Sequence, residues 1–133
     1  MDFSSLLLML HSINRWLIVL VTIIAIVKFA LGYFKKQEFT RTDGRIMSFW
    51  MGLLDLQLIL GIILLFTLPP IRYRLEHGVI MILAVTLAHI NRRWRNAEST
   101  IKFRNYTLLI LVIALLIGVG VAALPQGWLG QSS

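Results

Sequence analysis

The sequence contains no cysteine. Disulfides and metal sites built on thiolates are therefore excluded. Charge is scarce as well: 14% of residues are charged, where a soluble domain carries about a quarter. Acidic residues are the scarcest of these, 6 Asp and Glu against 13 Lys and Arg. There is no His-Glu-x-x-His metal helix, no phosphate loop and no nucleophile elbow, which removes the common hydrolase and nucleotide-binding signatures. No internal repeat and no low-complexity tract stands out.

What fills the 133 residues is apolar: 58% hydrophobic, with a mean hydropathy of +0.81. That composition points to one integral membrane domain. Four apolar segments are visible, at about 6–33, 46–68, 75–91 and 105–124. Each is near the roughly 20 residues that cross hydrocarbon as a helix. Backbone groups in lipid must be satisfied within the segment, and no alternating barrel pattern is present, so helices are expected. The start, Met1-Asp2-Phe3-Ser4-Ser5, lacks the basic opening of a secretory signal, so the first segment is expected to stay in the mature protein. Pro69-Pro70 stops the second segment, and Leu124-Pro125 the fourth, since proline has no amide to donate. Short connections predict an all-α, up-down four-helix bundle.

The net charge of +7 is unevenly placed and reads as a topology signal rather than a nucleic-acid footprint. Lys35, Lys36, Arg41 and Arg45 fall in the first loop, and Arg92, Arg93, Arg95, Lys102 and Arg104 in the loop at 91–105. Both loops belong on one side, towards which Lys28 can snorkel. Only Arg15, Arg72 and Arg74 fall on the other side. The positive-inside rule makes the basic side cytoplasmic and places both termini on the periplasmic side of a bacterial inner membrane.

Ionisable residues inside such spans are costly and default to a functional hypothesis. His11 lies early in the first span and His77 early in the third. His77 sits 15 residues before Arg92, and His11 sits 17 before Lys28. At about 1.5 Å per residue both are roughly 22–26 Å from the basic boundary. Two imidazoles at one depth on parallel helices can clamp a haem iron from opposite faces. The plainer alternative is a histidine hydrogen-bonded to a neighbouring helix. Arg15, Arg72 and Arg74 on that side suit the haem propionates, or else Arg15 pairs with Glu76 and the other two are solvated. Glu76 is expected to pair across helices.

Deeper in the second span, Asp55 must be paired, hydrogen-bonded or protonated. His89 and Asn91 are its candidate partners, and Asp55, Gln57, Glu76 and His89 form a candidate proton or polar relay. Met47, Met51 and Met81 read as packing before ligation. Trp16, Trp50, Trp94 and Trp128 read as interface anchors. Gly52, Gly61, Gly78, Gly118 and Gly120 read as points of close approach.

The strings His11-Ser12-Ile13-Asn14-Arg15-Trp16, Asp55-Leu56-Gln57, Leu60-Gly61 and Glu76-His77 resemble a family of small four-helix bacterial membrane proteins described as cytochrome b-like. The resemblance covers nearly the whole chain. It implies that His11 and His77 ligate haem and that Arg15 supports them. A looser similarity is to one half of haem A synthase, which has paired histidines on alternate helices and a Glu-x-x-His-Arg motif. Here Glu76 adjoins His77 and no arginine follows it directly, which argues against synthase activity.

The expectation is thus a b-type haem protein in membrane electron transfer, a subunit that serves a larger redox complex rather than a stand-alone catalyst. Lipid, a second copy and quinone are the other partners to consider. A cofactor-free accessory or assembly subunit is the alternative, and a small proton-coupled transporter using Asp55 and His89 ranks third.

Overall fold

The computed structural model describes residues 2–122 and 124–125. Its helices are α1 (Phe3–Phe34), α2 (Arg41–Thr67), α3 (Arg72–Ala88) and α4 (Ser99–Ala122), with a 3-10 segment His89–Trp94 continuing α3. All four, with α3 counted through Trp94, are long and apolar enough to cross a membrane. Trp128, expected at the interface, lies outside the described residues.

Every helix starts earlier than its apolar stretch suggests. α1 begins at Phe3 because Asp2 caps it, accepting the Ser5 amide at 2.8 Å. α2 begins at Arg41 rather than 46. Thr40 and Asp43 form a reciprocal capping box: the Thr40 hydroxyl accepts the Asp43 amide at 3.3 Å, and the Asp43 carboxylate accepts the Thr40 amide at 2.9 Å. Each satisfies an amide that the first turn leaves open. α2 stops at Thr67, ahead of Pro69-Pro70. α4 begins at Ser99, six residues before the apolar boundary at 105.

α1 packs against α2 and α4, and α3 packs against α2 and α4. The links between α1 and α2 run in opposite order along the two helices: Asn14 with Gln57, Thr22 with Trp50, Lys28 with Asp43. The aromatic part of the core lies at the basic end, where Phe29, Phe39, Phe103 and Tyr106 pack with ring centroids 5.1–6.2 Å apart. Phe39 belongs to the connection before α2, and its amide donates to the Ser99 hydroxyl at 2.8 Å. The Lys102 ammonium sits over its ring at 4.8 Å. The two basic connections therefore meet at one end of the molecule.

Three expectations need correction. Trp50 is not an interface anchor: it is 1% exposed and donates its indole N–H to the Thr22 hydroxyl at 2.9 Å. A buried indole needs such a partner. Lys28 does not simply snorkel, because its ammonium lies 2.9 Å from the buried Asp43 carboxylate. Glycine contacts are also redistributed. Gly52 meets open space, whereas Gly32, absent from the expected set, faces the Phe103 ring.

A Cβ on Gly32 would lie 2.6 Å from that ring, and Phe103 is 1% exposed with no room to retreat. Gly32→Ala should therefore cost about 1–3 kcal/mol through overpacking. Gly52→Ala should be neutral or stabilising, since alanine is the better helix former by about 1 kcal/mol. Unfolding midpoints in detergent check both, and equal effects would contradict the packing described.

Candidate functional site

The polar residues of α1 and α2 are tied together first. Asn14 donates its amide to the Leu53 carbonyl at 3.0 Å and to the Gln57 side-chain oxygen at 2.9 Å. Gln57 in turn donates to the backbone carbonyl of His11 at 2.8 Å. Asn14 is 4% exposed. With no water to replace these bonds, the three groups fix one helix against the other. Gln57 is thus engaged in holding α1, at the very residue that carries the first imidazole.

Above this clasp the helices enclose a cleft. His11 and Arg15 reach it from α1, Gln57 and Gly61 from α2, Arg74, His77, Gly78 and Met81 from α3, and Val121 from α4. Its other walls are aliphatic, among them Leu54, Leu58, Ile62, Leu65 and Val85. The cleft measures about 110 Å³, and the unfilled space including its open side comes to about 1030 Å³. Ile62 and Ile82, at its edge, are exposed, so the opening lies at the seam between α2 and α3.

His77 donates from Nδ1 to the Gly120 carbonyl at 3.0 Å. A carbonyl only accepts, so the proton sits on Nδ1 and Nε2 keeps its lone pair. Such a second bond is what orients a ligating imidazole. His11 is 5% exposed, and its Nδ1 is buried without a hydrogen-bond partner among the described residues. Gly61 gives that ring space: a Cβ there would stand 3.4 Å from its Cε1. Arg15 is 3% exposed. Arg74, which also lines the cleft, donates to the Pro69 carbonyl at 3.0 Å.

Two expected members lie elsewhere. The Arg72 side chain is 92% exposed and pairs with Glu76 one turn on, at 2.9 Å. Arg72 does not line the cleft, and Glu76 pairs within its own helix rather than across to another. The i, i+4 spacing puts the two on one face.

A second polar group lies lower on α2 and α3. His89 Nε2 and Asp55 Oδ1 are 2.8 Å apart, with side chains 34% and 45% exposed. This contact matches the spacing argument, but Asn91 does not join it. Asn91 donates to the Ala88 carbonyl at 2.9 Å where α3 gives way to the 3-10 segment. Met47 and Met51 are core residues. The pairing of the part-exposed Lys28 with the buried Asp43 is not evident from the sequence, because Asp43 looks like a loop residue. The Thr40-x-x-Asp43 spacing was the signal that would have placed it on a helix.

Among the described residues, no group of three or more His, Cys, Asp or Glu side chains could hold a bare metal ion. A haem asks for less, since the porphyrin fills the equatorial positions and only axial ligands come from protein. The cleft's lining includes groups of that kind. It holds two imidazoles from non-neighbouring helices, one buried nitrogen with no partner, aliphatic walls, and two guanidinium groups. No family model, curated protein or solved structure matches the chain.

Replacing Gln57 with Leu removes its bonds to Asn14 and His11. Side-chain hydrogen bonds between membrane helices average about 0.6 kcal/mol, so Gln57→Leu should lower stability by about 1 kcal/mol. Asn14→Leu on top of it should add less than it costs alone. Denaturant titration of the two single variants and the double variant measures the coupling, and strict additivity would show that the clasp is not one unit.

Proposed function

We propose that this chain is a b-type haem protein of a bacterial inner membrane, serving electron transfer for a larger redox partner. In this reading the helices form an up-down bundle with both termini on the periplasmic side, in keeping with the basic residues gathered at the opposite end. The observation that carries the proposal is the arrival of His11 and His77, from α1 and α3, in one apolar cleft beside Arg15 and Arg74. His11 and His77 would hold the iron, and Arg15 and Arg74 the propionates, by charge-assisted hydrogen bonds. When bound, the haem supplies one-electron chemistry.

The protein's own residues do the rest. The Gly120 carbonyl keeps the His77 proton on Nδ1 and so leaves Nε2 as the electron-pair donor. Gln57 anchors the His11 backbone. The aliphatic walls keep water away and so strengthen every charge interaction inside. Arg72, committed to Glu76, is left out of the set.

Purified protein expressed with ample haem should show the reduced-minus-oxidised bands of low-spin haem. His11→Ala and His77→Ala should each abolish them, while Arg72→Ala should leave them intact. Colourless wild-type protein would sink the proposal and favour a cofactor-free accessory or assembly subunit.

One observation favours a second reading. Asp55 and His89 are titratable, hydrogen-bonded and set within the spans, an arrangement suited to passing a proton in a small coupled transporter. Asp55→Asn should abolish pH-driven uptake in proteoliposomes if this reading holds. Proton flux equal to that of the wild type would dismiss it.

A further inference from the structure

The basic end carries a groove of its own, on the opposite side of α1 and α2 from the histidine cleft. It is lined by Val21 and Ile24 of α1 and by Thr42, Arg45, Ile46 and Phe49 of α2, and measures about 320 Å³. Positions 42, 45, 46 and 49 are spaced to share one helical face. The chemistry is graded along that face. Thr42 and Arg45, both exposed, stand at the end of α2 nearest the basic connections. Phe49 and Ile24, 57% and 47% exposed, form apolar walls farther into the span.

No ion pair to Arg45 occurs among the described residues, whereas its neighbour Lys28 is held by Asp43. Lys35, Lys36 and Arg41, in or beside the connection between α1 and α2, are exposed as well. The only other acidic residues at this end, Glu38 and Glu98, are too few to balance them. An open cation and a hydroxyl above aliphatic and aromatic walls match a molecule with an anionic head and a hydrocarbon tail.

We propose that this groove is a binding site for an anionic phospholipid. Arg45 and Thr42 hold the headgroup phosphate by a charge-assisted and a neutral hydrogen bond, and one acyl chain lies along Ile24, Ile46 and Phe49. The apolar walls select a lipid over free phosphate. The site is independent of any occupant of the histidine cleft.

The test reconstitutes the full chain in nanodiscs of mixed phosphatidylglycerol and phosphatidylcholine, extracts it, and counts retained lipid by native mass spectrometry. Wild-type protein should retain phosphatidylglycerol in preference, and excess inorganic phosphate should not displace it. Arg45→Gln should lower that retention about five-fold, on the scale of one cation at an anionic surface. Arg45→Lys should recover most of it. Arg104→Gln, which removes an exposed charge from α4 at the same end, should change nothing. Equal retention of the two lipids would overturn the proposal, and so would equal losses in Arg45→Gln and Arg104→Gln, because the effect would then be diffuse charge. Circular dichroism verifies that each variant is folded.

Discussion

Hydrocarbon offers no hydrogen bonds, and this constraint orders nearly everything polar in the molecule. Each buried polar side chain must find its partner inside the protein, because an unsatisfied group in such surroundings costs several kcal/mol. The consequences are visible as ties between helices. Asn14 and Gln57 join α1 to α2, Trp50 finds Thr22, Lys28 finds Asp43, and His77 finds the Gly120 carbonyl. These bonds are individually modest in membranes. Their value lies in specificity, since apolar side chains alone would let the helices slide or rotate at little cost.

Against that background the first imidazole draws notice. His11 Nδ1 is buried with no partner among the described residues, on a helix tied to α2 at several points. A group left unsatisfied in a native structure asks for an explanation. A ligand in the adjoining cleft supplies one, and it does so without disturbing any bond that holds α1 in place.

Much of this was legible in the sequence, because hydropathy over long windows is the strongest signal a membrane chain carries. Four helices, their breaks at Pro69-Pro70 and the gathering of basic residues all follow from it. So does the Asp55–His89 contact, since two polar residues at one depth on consecutive spans have few other places to turn. The misses have physical causes too. Charged residues at helix starts look like loop, so Arg41–Arg45 and Ser99–Arg104 read as connection rather than helix; at α2 it is the Thr40–Asp43 capping box, not hydropathy, that sets the end. Trp50 reads as an interface anchor but is core, because aromatic residues near a span's end serve equally as either. Only packing distinguishes the two. Glu76 is expected to pair across helices, yet its i, i+4 spacing from Arg72 already satisfies it locally.

The side-chain ties between α1 and α2 have a bearing on how the protein is made. The Asn14–Gln57 clasp, the Trp50–Thr22 bond, the Lys28–Asp43 pair and the Thr40 box all lie within the first 57 residues of the chain. A ribosome working from the N-terminus thus releases a hairpin with its polar needs largely met before α3 exists. Domains generally fold in that order during synthesis. His77 and Gly120 arrive last, so the histidine cleft is closed on a pair of helices already joined to each other.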